Sequence, residues 1–99
     1  MKTLTEIRQN LQEHKLQLAE EYGVYVLGVF GSYVRDEQRP DSDVDILIEL
    51  EQSAKISLIG VVELEDYLTS LLGIKVAIAI KRNLRKRIGS RILAEVVPV

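Results

Sequence analysis

Two apolar runs of strand length, joined by a short polar connection, constrain the fold of this 99-residue chain more than any other feature. The first run, VYVLGVF, covers Val24–Phe30, and the second, VDILIEL, covers Val44–Leu50. Both are rich in Val, Ile or aromatic residues, which is typical of buried strands. The turn-forming residues Pro40-Asp41-Ser42 lie between them. The pattern predicts a hairpin-like strand pair, in which Gly28 allows another backbone segment to approach closely.

Alternation along the second run places two carboxylates on one face of the predicted strand, because residues two apart project from the same side. Two close carboxylates repel each other unless a cation lies between them. Mg²⁺ is usually held by one or two carboxylates together with substrate phosphates. Asp43 and Asp45 are therefore candidate Mg²⁺ ligands. The core face carries Val44, Ile46, Ile48 and Leu50, and the site face carries Asp43, Asp45, Leu47 and Glu49.

Gly31 and Ser32 follow the first strand directly and precede a short stretch that is compatible with a helix. Backbone N–H groups at the start of a helix favour phosphate, and glycine leaves them unhindered. Together with the two carboxylates, the stretch GSYVRDEQRPDSDVD predicts a site for a metal ion and a triphosphate.

Hydrophobic periodicity predicts three helices and a third strand in the rest of the chain. The first helix follows a capping box of Thr3 and Glu6 and ends before Gly23. The next helix covers residues 57–72, and the strand covers residues 74–80. The last helix is predicted to be capped by Asn83, to carry Leu84, Ile88, Ile92 and Val96 on one face, and to be closed by Pro98. Glu63, Glu65 and Asp66 are expected on the solvated face of the preceding helix.

The composition predicts one small globular domain, residues 1–99, with 46% hydrophobic and 28% charged residues. The chain has no cysteine and a single histidine, which argues against disulfides, thiolate zinc sites and histidine metal sites. The N-terminus lacks the apolar core of a signal peptide, and no apolar run approaches the length of a membrane span, so a cytoplasmic location without membrane association is expected. The net charge of −2 argues against bulk binding of nucleic acid.

The spacing of the polar residues resembles a known superfamily. Gly31-Ser32, Asp43 and Asp45 fit the pattern G-S-x10-D-x-D of the DNA polymerase β-like nucleotidyltransferases. More narrowly, the chain resembles the minimal nucleotidyltransferases, the MNT antitoxins encoded beside HEPN-domain ribonuclease toxins. The segments LEDYLTSLLGIKV and LRKRIGSRILAEVV extend this resemblance to almost the whole chain. It implies an α+β, polymerase β palm-like fold, with a small mixed sheet of at least three strands flanked by helices.

The resemblance also implies roles for these residues. Asp43 and Asp45 would hold Mg²⁺, and Gly31 and Ser32 would hold the triphosphate of ATP. Members of the superfamily transfer a nucleoside monophosphate to an acceptor and release pyrophosphate. For the MNT antitoxins, the implied reaction is transfer of AMP to a tyrosine of the HEPN ribonuclease, which silences it.

One position departs from the family pattern. The family carries a third carboxylate in a context such as G-x-K-V-D, whereas here residues 73–76 are followed by Ala77. The third acid commonly binds the catalytic metal and activates the acceptor hydroxyl, and alanine does neither. The explanations are natural loss of catalysis, replacement by a neighbouring acid, or a deliberate substitution made to trap a complex. An isolated loss in an intact motif favours the last explanation over the first, and the second is the least favoured, because Glu49 is on the site face but farther along its strand.

Two other functions remain open: a non-catalytic antitoxin that acts by direct binding, and an aminoglycoside-type nucleotidyltransferase. The latter is disfavoured because 99 residues leave no obvious second domain to enclose an antibiotic. Arg35 is assigned a structural role, pairing with Asp36, Glu37 or Asp41, in preference to a phosphate contact. Tyr33 either stacks on a base or covers the core.

A basic segment, from Lys81 to Arg91, holds six of the thirteen Lys and Arg residues. Such a run is usually the solvated face of an amphipathic helix. The alternative is contact with an acidic partner surface or with nucleotide phosphates. Nucleic acid is the weakest alternative, because no aromatic residues are interleaved with the charges.

Overall fold

Helices pack on a four-stranded mixed sheet in the computed structural model, which describes residues 2–51 and 58–99. The sheet order is β3-β2-β1-β4, with β1 antiparallel to β2 and β4, and β2 parallel to β3. The predicted α+β architecture is therefore confirmed. In chain order the elements are α1 (Leu4–Tyr22), β1 (Val24–Phe30), α2 (Ser32–Arg35), β2 (Val44–Leu50), α3 (Leu58–Leu72), β3 (Val76–Ile80), a 3₁₀ turn (Lys81–Asn83), α4 (Lys86–Glu95) and β4 (Val97–Pro98).

The first helix begins and ends where its capping residues predict. The Thr3 hydroxyl accepts a hydrogen bond from the Glu6 N–H at 3.2 Å, which satisfies one of the free amides of the first turn. Gly23 adopts the left-handed conformation with φ 65°, and its N–H binds the Ala19 carbonyl at 3.1 Å. The chain then turns directly into β1.

The core lies between one face of the sheet and helices α1 and α3, as the alternation along β2 predicts. Val44, Ile46 and Ile48 are fully buried on this face. Leu47, on the opposite face by alternation, is fully buried as well, so the site face is not polar along its whole length. The helices contribute Ile7, Leu11, Leu18, Leu64, Leu68 and Leu72 to the core.

Helix α3 connects the parallel strands β2 and β3. Ser57, where this helix was predicted to begin, lies outside the described residues, and β3 begins at Val76, two residues later than predicted. The prediction of a solvated Glu65 is wrong. Its Oε2 accepts a hydrogen bond from the Ile78 N–H at 2.9 Å, and the Thr69 hydroxyl accepts one from the Val76 N–H at 3.0 Å. Side chains of α3 thus bind amides of the edge strand β3.

The prediction for the last helix is also partly wrong. Asn83 belongs to the 3₁₀ turn and does not cap α4, whose N-cap is Arg85. Leu84 and Val96 lie outside the helix, and the backbone is extended at both positions. Four-residue spacing alone does not reveal where the helix begins and ends.

Beyond α4 the chain forms β4 and pairs with β1, where Val97 faces Val29. Pro98 is tolerated there because an edge strand leaves one side of its backbone unpaired. A Cβ at Gly28 would collide with the Val97 carbonyl oxygen, which confirms the expected close approach. Among the described residues, no helix has the length and apolar character needed to cross a membrane.

Candidate functional site

The turn after β1 brings Gly31 against the Asp45 carboxylate. Phe30, the last residue of β1, pairs with Asp45 across the hairpin. Gly31 has φ 82° and ψ −152°, a conformation that side chains rarely adopt, and a Cβ there would collide with Asp45 Oδ2. Glycine is therefore required twice at this position, for the backbone conformation and for the approach to the carboxylate.

Asp43 directly precedes β2 and Asp45 is its second residue, so a single residue separates them, and both are partly exposed. Burial, followed by the negative charge of Asp43, raises the pKa of the Asp45 carboxyl above its ordinary value. Glu95 adds to this shift and Arg35 opposes it. The ionised form of Asp45 is thus disfavoured by burial and by the neighbouring carboxylate.

The donor set fits Mg²⁺ better than a metal with an all-protein coordination shell. Within residues 2–51 and 58–99, no cluster of three or more His, Cys, Asp or Glu side chains could hold a metal ion. Two carboxylates remain, and Mg²⁺ commonly completes such a set with water and substrate phosphates.

Ala77 pairs directly with Asp45 across the parallel strands β2 and β3. Neighbouring strands lie about 4.8 Å apart, so a carboxylate at position 77 would adjoin that of Asp45 on the same face. The methyl group of Ala77 offers no ligand there. Glu49 does not replace it, because it lies about 13 Å farther along β2 and its Oε2 is 3.8 Å from Lys81 Nζ.

Ser32 begins α2 at the same end of the sheet and is partly exposed. Its N–H belongs to the first turn of the helix, where amides have no partner within the helix. The neighbouring Tyr33 is 3% exposed and belongs to the core cluster, so of its two predicted roles the structure shows the covering of the core. Burial, and then the charge of Asp43, raise the pKa of the Tyr33 hydroxyl.

Arg35 makes the intramolecular pairs expected of a structural residue. Its Nε lies 3.1 Å from Glu37 Oε2, one of the predicted partners. Its Nη1 donates to Glu95 Oε1 at 2.6 Å, and the Gly31 N–H donates to Glu95 Oε2 at 3.0 Å. Sequence reasoning missed Glu95, because a contact across 60 residues leaves no local pattern.

The hydrogen bonds among Glu95, Arg35 and the Gly31 N–H favour the ionised forms of both side chains. Burial opposes ionisation of Glu95, but the hydrogen bonds from Arg35 and from the Gly31 N–H outweigh it and lower the pKa of Glu95. The hydrogen bond to Glu95 is likewise the largest cause that raises the pKa of Arg35.

Two cavities of similar size border the carboxylates. One, of about 470 Å³, is lined by Asp45 and Gly31 on the sheet side and by Ile88, Arg91 and Glu95 of α4. The other, of about 460 Å³, is lined by Asp43, Tyr33, Ser42, Ile74 and Lys75, among others. Asp43 and Asp45 therefore each border space in which a ligand could lie.

The basic segment is largely exposed on and before α4. Arg85, Lys86 and Arg87 are exposed, while Arg91 lines the cavity beside Asp45. Ile88 is 55% exposed between these charges. This arrangement agrees with a solvated face and leaves a partner interface as a prediction.

Comparison with known proteins shows the family of this chain. The nucleotidyltransferase domain family matches residues 11–98. The protein adenylyltransferase MntA of Thermococcus cleftensis is 48% identical over 99 residues, which is 100% of this chain and 98% of the relative. A Methanocaldococcus jannaschii protein, provisionally named a protein adenylyltransferase, is 49% identical over 84 residues, or 85% of this chain and 84% of the relative.

Solved structures show the same fold. One, provisionally described as a minimal nucleotidyltransferase, superposes with a TM-score of 0.78 at 34% identity and covers 99% of this chain and 97% of its own. A toxin–antitoxin crystal structure with AMP-PNP gives 0.70 at 20% identity, covering 88% and 70%, and supports the fold alone. The resemblance to minimal nucleotidyltransferases is thereby confirmed, and the chain belongs to the nucleotidyltransferase domain family.

Proposed function

We propose that this chain is an antitoxin of the protein adenylyltransferase type, which binds ATP with Mg²⁺ and transfers AMP to a tyrosine of a HEPN-family ribonuclease. The observation that carries the proposal is the contact of Gly31 with Asp45, which joins the G-S turn to the carboxylates. The name of the full-length relative, protein adenylyltransferase MntA, supports the same class of activity.

The carboxylates and the G-S turn have different roles in binding the nucleotide. Asp43 and Asp45 would hold Mg²⁺, which when bound neutralises phosphate charge and polarises the phosphoryl group under attack. Ser32 supplies a hydroxyl and a first-turn N–H to the triphosphate. Gly31 contributes the close approach to Asp45, because its own N–H is donated to Glu95. In the reaction, the acceptor oxygen bonds to the α-phosphorus, the bond from that phosphorus to the pyrophosphate oxygen breaks, and the hydroxyl proton passes to water.

Ala77 limits this chemistry in the chain as it stands. The position beside Asp45 carries neither a metal ligand nor a base for the acceptor hydroxyl. We therefore infer that the chain binds Mg-ATP but transfers AMP poorly. This observation also favours a second function, in which the antitoxin neutralises its partner by direct binding.

Intact-mass measurement of the co-expressed partner tests both functions. AMP added to the partner by the chain, and added faster after Ala77→Asp, supports the enzyme. A stable, unmodified complex with either chain supports direct binding. An R-x4-6-H motif in the neighbouring reading frame would identify the partner as HEPN-type.

A further inference from the structure

The Glu95 carboxylate joins the two ends of the segment that carries Ser32. One oxygen accepts the Gly31 N–H at 3.0 Å, and the other accepts Arg35 Nη1 at 2.6 Å. Gly31 precedes Ser32, and Arg35 ends the short helix that Ser32 begins. A single side chain thus fixes both the entry to this segment and its exit.

Glu95 is itself held in place by the segment that follows it. It ends α4, and two residues later Val97 pairs with Val29 of β1. The Pro98 carbonyl oxygen then accepts a hydrogen bond from Arg8 Nε at 2.9 Å. The position of the carboxylate is therefore determined by β1 and α1, which are core elements of the fold.

A glutamate suits this position because it presents two acceptor oxygens to two donors. Glutamine would offer one acceptor oxygen and turn its NH₂ group toward the other donor. Hydrogen bonds to ionised groups are also stronger than neutral ones. The Glu95 side chain is only 22% exposed, so water competes with these bonds only in part.

We propose that Glu95 is a positioning residue for the nucleotide site, which holds residues 31–35 so that Ser32 and Asp45 face the same triphosphate. This inference rests on the proposed function and assigns Glu95 an action through the segment, without contact to the nucleotide. It also makes the C-terminal strand β4 part of the support of the site.

A double-mutant cycle tests the action through Ser32. Calorimetric titration with Mg-ATP is applied to the parent, Glu95→Gln, Ser32→Ala and the double variant. Glu95→Gln is expected to weaken binding about tenfold alone, and by a smaller factor when Ser32 is already alanine, because that variant keeps the N–H of position 32 but lacks the hydroxyl that Glu95 positions. Glu63→Gln, at an exposed position on α3, is the matched control with unchanged affinity. If the losses of Mg-ATP affinity in the two single variants simply multiply in the double variant, the proposal is overturned. Tighter binding of Mg-ATP by Glu95→Gln would also overturn it, because it would show that the carboxylate competes with phosphate.

A second measurement does not depend on nucleotide. Hydrogen exchange of the Gly31 amide is expected to be about tenfold faster in Glu95→Gln, while the Val26 amide in the middle of β1 is unchanged. If Glu95→Gln does not fold, Arg35→Lys keeps the charge but loses the forked donor, and the same faster exchange at Gly31 is expected. Unchanged exchange at Gly31 would overturn the proposal. Failure of the parent to bind Mg-ATP would instead refute the proposed function, and the exchange result would still decide the role of Glu95.

Discussion

Asp45 and Ala77 are paired in register across the parallel strands β2 and β3. The side chain at position 77 consequently adjoins one of the two candidate metal ligands, on the same face of the sheet. This single register relationship determines what an acid at position 77 would contact, and it makes the effect of the alanine testable.

Restoring the acid with Ala77→Asp is expected to raise the rate of AMP transfer by about 10²-fold or more, the range of a general base. The measurement is incorporation of labelled AMP into the co-purified partner. Ala77→Asn is the matched control, because it has nearly the same size but neither the charge nor the basicity. An aspartate variant no faster than the parent would contradict the assignment of this position.

Substitution of Gly31 by alanine is expected to reduce both stability and Mg-ATP binding. The new Cβ meets the Asp45 carboxylate and forces an unfavourable φ of 82°, which together cost about 2 kcal/mol or more in unfolding free energy. Urea denaturation measures this loss. The control is Gly23→Ala at the opposite end of β1, where φ is 65°. It is expected to lose about 1–2 kcal/mol and to keep its Mg-ATP affinity, so equal loss of affinity would refute the role of Gly31.

Neutralising Asp45 is expected to stabilise the chain at pH 7 in the absence of Mg²⁺. Its pKa is raised above the ordinary value of 3.8. The carboxyl therefore adds stability below that value, and the contribution is lost as the pH rises through the folded-state pKa. Asp45→Asn should melt at a higher temperature than the parent at pH 7, with the difference shrinking toward pH 4.

Mg²⁺ is expected to make the parent melt at a higher temperature than Asp45→Asn, because the ion stabilises only the chain that keeps both carboxylates.

The double variant Asp43→Asn with Asp45→Asn is expected to fold and to lose metal-dependent ATP binding. Asp66→Asn, on the exposed part of α3, is the control without a pH or Mg²⁺ effect. A calorimetric titration with Mg-ATP that is unchanged in the double variant would exclude these residues as the metal site.

Charge reversal at Arg85 and Arg87 tests whether the basic segment is an interface. Both side chains are exposed, and an acidic partner surface would be attracted to them. Loss of partner binding at low salt, with Mg-ATP affinity retained, is the expected outcome for an interface. Reversal at Glu63 and Asp66 of α3 serves as the comparison. Equal partner affinity for the parent and the Arg85, Arg87 variant would leave the segment as a solvated face.

Local patterns were sufficient to predict the parts of the site that lie within one hairpin. The alternation around Asp43 and Asp45, and the glycine after β1, follow from the period of a strand and the needs of a tight turn. The relevance of Ala77 came from the family resemblance and not from a local pattern, and its register with Asp45 is visible only in the structure.

Contacts between distant parts of the chain were not predictable. Glu95 reaches Arg35 across 60 residues, and β4 pairs with β1 from the far end of the sequence. Neither contact has a periodic signature. The charge of Glu65 similarly suggested a solvated residue, because nothing in its own helix shows that an unpaired amide of Ile78 lies nearby.

The hydrogen bonds from β3 to α3 have a further consequence for association. A sheet edge with open amides is a template for added strands and for aggregation. Here Glu65 and Thr69 occupy amides of one outer strand, and the other outer strand is two residues long and contains Pro98. Both margins of the sheet are thereby protected against strand addition, so a partner protein would meet this domain through side chains rather than through an extended sheet.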